Sequence, residues 1–478
     1  MGSTNRTTAR LLMVVTMAIS LSGCVPALKL REARKDAPAT YGASTDTTDA
    51  ATVPWRDMYT DPDLRALIDT ALVNNQELNI LLQEVAIAKN EVRARKGEYL
   101  PFLDVNAGAD LEKVGEFTRN GAVESQLPIR EEEAFPEPLP NYAFGAGLTW
   151  EIDIWKKLRN AKKAAMMRYL GSVEGRNFMV THLVAEIATS YYELMALDNQ
   201  LRILRENIAI QQDALGIVRL EKQAAKVTEL AVRRFEAEVL KNRSKQYDIQ
   251  QMIVETENRI NYLVGRYPQP VRRNATSFSA LTPDSLPIGV PVQLLANRPD
   301  IRQAEMELEA TKLDVRSARA RFLPSIGLRA GVGFNAFDPA YLLESPASLT
   351  YNVVGDLVAP LINRNAIRAA YNSASARQVQ AVYDYERTVV GAYVDVVNQL
   401  NSIENLRNSY DLRRQQVEAL TSSITISTNL FRSARADYME VLLTQRDALE
   451  SRFELVETRK AQLNAMVYMY QALGGGWR

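Results

Sequence analysis

The stretch KNEVRARKGEYLPFLDVNAGA, Lys89 to Ala109, returns 223 positions later as KLDVRSARARFLPSIGLRAGV, Lys312 to Val332. Lys89 and Lys312, Val92 and Val315, Arg93 and Arg316, Leu100 and Leu323, Pro101 and Pro324, and Gly108 and Gly331 coincide. Further on the copies stay in step at an offset of 209, through Leu148 and Leu357, Arg159 and Arg368, Ala165 and Ala374, to Val264-Gly265 and Leu473-Gly474. The change of offset places a 14-residue difference between the two strand-like segments of each copy, which marks a loop free to vary. Two long repeats predict a pseudo-symmetric architecture, and a symmetric assembly is the first function class to consider.

From Phe102 to Glu112, Leu103, Val105, Ala107, Ala109 and Leu111 alternate with Asp104, Asn106, Gly108, Asp110 and Glu112. That is a strand with one apolar and one wet face. Tyr142 to Ile154 repeats the pattern, and the second copy adds Ser325 to Asn335 and Leu349 to Ala359. Strands of this length fit a transmembrane barrel, which needs ~9–11 tilted residues per crossing, although a soluble two-sheet sandwich shows the same alternation. Four strands do not close a membrane barrel, because an open edge in lipid strands backbone groups unpaired. Closure in a membrane therefore needs further copies, and three chains supply about twelve strands.

Proline is absent from Asn141 to Tyr267 and from Leu361 to Arg478, although the chain has 19. In the first desert Val180, Ile187, Leu194, Leu201, Ile208 and Leu215 recur every seven residues, with Leu183, Leu197, Leu204 and Val218 between them. The second repeats this as Val389, Val396, Ile403, Tyr410, Val417 and Ile424, with Leu406 and Leu420. A sustained seven-residue period specifies long helices packed along a left-handed seam. A helix from Lys156 to Lys222 is on the order of 100 Å long. Reversals fall at Ala224 to Thr228 and at Ser433 to Asp437, with Thr228 and Asp437 as N-caps of the returning helices. The loop from Lys113 to Pro140 is expected to be a flexible rim rather than a binding site.

The 57 basic and 57 acidic residues cancel, which argues against nucleic acid as a partner. At the amino terminus Arg6 and Arg10 precede the apolar run Leu11 to Leu21, and Leu21-Ser22-Gly23-Cys24 follows. This reads as a secretory signal over 1–23 ending in a lipobox, with Cys24 as the site of thioether attachment to diacylglycerol. Cys24 is the only cysteine, so no internal disulfide and no multi-cysteine metal site is expected. Residues 24–54 read as a lipidated tether.

The words WRDMYTDPDLRALIDTALVNN (Trp55 to Asn75), LTWEIDIWKKLRNAKKAA (Leu148 to Ala165), LLANRPDIRQAEMELEATKLDVRSARARFLPSIGL (Leu294 to Leu328), DYMEVLLTQRDALESR (Asp437 to Arg452) and YQALGGGW (Tyr470 to Trp477) resemble the outer-membrane factors of the TolC type. The resemblance covers most of the chain beyond the leader. It implies a mainly α fold with a transmembrane β-barrel: a homotrimer whose twelve-stranded barrel continues into a twelve-helix coiled-coil α-barrel. A shorter helical belt is implied at Asp63 to Glu98 and Pro299 to Arg321. The implied organisation is repeat one over 55–265, a linker over 266–290 and repeat two over 291–478. The implied function is a passive, gated efflux duct of a tripartite pump, lipid-anchored in the outer membrane and extending into the periplasm. Its partners would be a periplasmic adaptor and an inner-membrane resistance-nodulation-division pump.

In such proteins charged rings narrow the periplasmic tip just after the second turn. By the matching word Glu440 takes an acidic-ring position and Arg446 a basic residue that pairs nearby, while Leu443 replaces a second acidic residue. Ala225 and Ala434 replace the turn glycines, and with Thr228 and Asp437 they are candidate adaptor contacts. No cofactor is implied beyond the lipid on Cys24. No catalytic or metal-binding motif is present, and the single histidine, His182, beside the heptad stripe, reads as a packed or solvated side chain, so an enzyme is not expected. The open alternatives are a type I protein secretion duct and, in another class, a periplasmic adaptor lipoprotein. The exported substrate is not written in the chain.

Overall fold

The computed structural model describes residues 25–34, 38–41, 50–274, 278, 280–281, 289–360, 362, 364–433 and 435–478. Cys24, Ala434, the signal segment and part of the 266–290 linker lie outside them. The described chain forms helices α1 (Pro62–Asn74) and α2 (Gln76–Glu98), strands β1 (Phe102–Glu112) and β2 (Leu139–Ile152), and helices α3 (Lys157–Gln223) and α4 (Glu229–Leu263). The second copy supplies α5 (Pro299–Ala320), β3 (Ser325–Ala336), β4 (Leu349–Val358), α6 (Asn365–Arg432) and α7 (Tyr438–Ala472). The described residues fall into two compact units, one of those within 25–32, 86–170 and 306–383, the other of those within 33–85, 171–305 and 384–478.

The first unit holds a four-stranded antiparallel sheet in the order β1-β2-β3-β4. Cross-strand register sorts its side chains by face, because directly paired residues point the same way. One row across the sheet is Leu103, Leu148, Ala330 and Val353, another Val105, Ala146, Val332 and Tyr351, a third Ala107, Phe144, Phe334 and Leu349. The opposite face carries Asp104, Gly147, Gly331 and Asn352, then Asn106, Gly145, Gly333 and Thr350. Strands β1 and β4 are the two edges, and no described strand of the chain pairs with their outer sides.

Strand β2 ends two residues short of the expected Ile154, because Asp153 leaves the ladder to cap α3. Its carboxylate accepts from the Leu158 N–H at 3.1 Å and the Arg159 N–H at 2.9 Å, which satisfies orphan donors of the first turn. The 113–140 loop, expected as a flexible rim, carries local structure of its own. It holds a short helix, Arg119–Glu124, capped by Thr118, and a two-stranded ribbon of Pro128–Arg130 with Glu133–Ala134. Arg130 of the ribbon lies over the rings of Phe337 and Tyr341. Val25 to Arg34, expected within a loose tether, is pinned instead. Gln378 accepts from the Arg31 N–H at 3.1 Å and donates to the Arg31 carbonyl at 2.7 Å, Tyr371 donates to the Ala27 carbonyl, and Val25 and Leu30 pack on Val315, Phe322 and Tyr371.

In the second unit the belt segment expected as one element is broken at Asn75. The break is functional packing: Asn75 Nδ2 donates to the Leu263 carbonyl at 2.9 Å, closing the end of α4. The other copy does the same with a different side chain, Arg298 Nη1 reaching the Ala472 carbonyl at 3.1 Å. Gly265 (φ 73°) and Gly474 (φ 95°) follow those helix ends, and a Cβ at either would stand 2.4 Å from Asn74 O or 2.7 Å from the Asn297 carbonyl carbon. The stripe of α3 supplies the core. Leu197, Leu201, Leu204 and Ile208 cluster with Ile249 of α4 and with Leu449 and Phe453 of α7. Helix α6 meets α7 largely through polar contacts, Arg413 with Glu454 at 3.2 Å, Arg459 with Tyr410 at 2.9 Å, and Gln462 with the Leu406 carbonyl at 3.1 Å.

Candidate functional site

The polar face of the sheet is floored with glycine and roofed by the side chains of neighbouring strands. A Cβ on Gly147 would stand 3.0 Å from Asp104 Oδ1, on Gly331 2.7 Å from Asn352 Oδ1, and on Gly327 2.4 Å from Asp356 Oδ1. Each polar side chain therefore lies flat across the glycine opposite it, which keeps this face open as a groove of about 430 Å³. Asp356 is paired with Arg329 at 3.7 Å, and Glu151 with Lys157. Asp104 carries no such partner among the described residues.

The matched turns sit at the far ends of the long helices. After α3 the N–H groups of Ala225 and Lys226 donate to the carbonyls of Lys222 and Glu221, and after α6 the Arg435 N–H donates to the Leu430 carbonyl at 2.8 Å. This wrapping demands a left-handed residue. Ala225 takes that role at φ 56°, where its Cβ is strained. Thr228 and Asp437 do occupy N-cap positions in extended backbone, but neither side chain makes a capping bond. Their hydroxyl and carboxylate are left for other contacts.

On the first turns of α7, Glu440, Leu443, Arg446, Asp447 and Glu450 are exposed while Val441, Gln445, Ala448 and Leu449 are buried. Glu440 forms no ion pair among the described residues, and Arg446 does not reach it. Arg446 bonds its own neighbour, Asp447, at 3.1 Å. Glu440, Leu443, Asp447 and Glu450 thus form one exposed stripe at helical spacing, acidic with one apolar member. Sequence reasoning missed Asp447 and Glu450, though the i, i+7 and i+10 spacing from Glu440 carried the signal. His182 sits against Phe178 and within 3.1 Å of Gln471 at a cavity of about 300 Å³ that Arg298, Asp300 and Asp395 also line. Burial holds the imidazole below its ordinary range, so it is neutral at pH 7.

The chain belongs to the outer membrane efflux protein family, whose model matches residues 67–266 and 290–475. It is 27% identical over 424 residues to the pyoverdine export outer membrane protein OpmQ of Pseudomonas aeruginosa, covering 89% of this chain and 87% of that protein. It is 26% identical over 424 residues to the probable outer membrane lipoprotein SilC of Salmonella typhimurium, covering 88% of each. In fold it is similar to the open state of the MtrE outer membrane channel of Neisseria gonorrhoeae, with a TM-score of 0.83, 22% identity, and coverage of 95% and 99%. The protein is an outer-membrane channel of an efflux pump, built on the expected mainly α, duplicated fold with barrel strands. Two of its four barrel strands and two of its four long helices come from each repeat.

Proposed function

We propose that three copies of this chain close into one passive duct, lipid-anchored at Cys24, that receives solutes from a periplasmic adaptor and an inner-membrane pump. The observation that carries this reading is the open sheet: β1 and β4 each expose an unpaired edge, and an apolar sheet edge in lipid is costly by several kcal/mol per unpaired group. The helices support it independently. Helix α4 exposes Leu240, Tyr247 and Val254 at seven-residue intervals, a seam suited to another long helix, and α6 exposes Leu412, Ile426 and Leu430. The groove with Asp104, Asn106 and Asn352 would line the lumen, and the flat side chains over glycine keep it wide.

The tip would close where the acidic stripe of α7 converges. Three copies of Glu440 and Glu450 repel one another and favour cations, Asp447 being paired with Arg446, while Leu443 adds an apolar constriction. Thr228, Asp437 and the Ala225 and Ala434 turns would meet the adaptor, whose contacts spread the helices as bodies. The substrate is set by the pump. Planar-bilayer conductance of wild type and Glu440→Ala tests the gate: a higher closed-state conductance in the variant is expected, and an unchanged one removes Glu440. Mass measurement of the detergent-extracted Cys24→Ala protein, expected to lack the diacylglycerol adduct, tests the anchor.

A further inference from the structure

On each of three packed helices a buried amide interrupts the apolar stripe, and the interruptions separate the same two clusters. On α3, Gln211 stands between Ile208 and Leu215; on α4, Asn242 stands between Val239 and Ile249; on α7, Gln445 stands between Leu442 and Leu449. To one side lie Leu204, Ile208, Ile249, Leu449 and Phe453. To the other lie Leu215, Val218, Val232, Phe235 and Val239, with Tyr438 and Leu442 against them. The amides are 1%, 2% and 3% exposed in that order. Asn242 Nδ2 donates to Gln211 Oε1 at 2.8 Å.

The remaining valences do not match. Gln211 Nε2, a donor, and Gln445 Oε1, an acceptor, have no partner among the described residues, and neither does Asn207 Oδ1 one turn away. A buried donor and a buried acceptor left open between the same helices penalise this packing, and bringing them together would relieve both. The repeat itself does not require an amide here: Leu420 occupies the position matched to Gln211 in the other copy. Polar residues inside coiled coils are known chiefly for setting register, and a layer with two hydrogen-bonding arrangements sets two.

We infer that Gln211, Asn242 and Gln445 form the pivot of the helical tip. In the second position Gln211 Nε2 donates to Gln445 Oε1, the cluster around Leu215 and Val232 shifts against the cluster around Leu204 and Ile249, and α7 carries Glu440 and Leu443 with it. Gln211 and Gln445 are positioning residues. The inference rests on the gate reading above, and it adds where the gate helix turns.

The test is the opening frequency of purified channels in planar bilayers for Gln211→Met/Gln445→Met, whose side chains keep the volume but join the two apolar clusters. The expected result is a drop of about tenfold or more in opening frequency with the open-state conductance unchanged. An unchanged or raised frequency overturns the pivot. Should the variant fail to assemble, amide hydrogen exchange on the wild-type channel decides. A step to weaker protection on the tip side of Gln211 and Gln445 is expected, and uniform protection across them overturns the proposal. The ring is judged by the closed-state conductance of Glu440→Ala, so a failed ring and a failed pivot are read from different quantities.

Discussion

The two heptad stripes are the same pattern in sequence and opposite in burial. In α3 all ten stripe residues from Val180 to Val218 are buried. In α6 only Val396 is, while Val389, Ile403, Leu406, Tyr410, Val417, Leu420 and Ile424 remain half-exposed. The first stripe is covered from two sides, by α4 and by α7, whereas the second meets α7 largely through polar contacts. The composition follows: Leu204 and Val218 have Arg413 and Ser427 at their matched positions. The second repeat joins the core of the protomer through α7, and its α6 stripe is the part left uncovered.

The largest expected effect separates the two hairpins at their bases. Arg273 grips Asp198 of α3 through two hydrogen bonds, of 2.6 and 3.0 Å, and also holds Glu257 of α4, all largely buried. The matched places in the second copy are Arg407 and Met466, which form no such clamp. Arg273→Ala leaves two carboxylates uncompensated and is expected to destabilise the folded state by about 3–5 kcal/mol, read as a lower denaturation midpoint. A change within error would mean the clamp is decorative.

Next comes a matched pair, Leu197 and Leu406. Leu197→Ala removes a side chain that is 3% exposed and should destabilise by about 2–5 kcal/mol in any state of assembly. Leu406→Ala should have a comparably large effect only in the assembled channel and a small one in dissociated protomers. Equal losses in both states would erase the distinction between the stripes.

Alkaline pH probes the covered stripe. Burial first, then the nearby Asp61 charge, pushes the Tyr192 hydroxyl up to about 12, and burial pushes that of Tyr470 up to about 12. The folded state then holds these protons more tightly than an unfolded chain titrating near 10.0, so stability is intact below that pH and falls as pH rises through 12. Asn401, matched to Tyr192, has nothing to ionise. A denaturant midpoint that stays flat across this window would contradict the burial described. The smallest effect is at the tip, where Ala225→Gly relieves the left-handed alanine and should raise stability by about 1 kcal/mol, measured as a small upward shift in melting temperature.

The elements were legible because two periods dominate the chain: strict alternation marked β1 to its observed ends, and the seven-residue stripe marked α3 to within a residue. What stayed hidden depends on contacts that no period encodes. The Asn75 break exists to close α4, the end of β2 is set by Asp153 turning to cap α3, and the pinned Val25–Arg34 segment depends on Gln378 reading its backbone. At the tip, Glu440, Leu443 and Arg446 were named from a motif, but six residues on a helix put Glu440 and Arg446 out of register, and Arg446 bonds Asp447 instead. The amide layer was visible as polar residues at stripe positions, yet only their burial and their open hydrogen bonds give those residues meaning.

The central claim is that the free edges of β1 and β4 and the half-covered stripe of α6 are closed by other copies of the same chain. Native mass measurement of the detergent-extracted protein tests it most directly. The account predicts a complex of three chains that persists without added partners. A stable species of one chain, with its sheet intact, would contradict it.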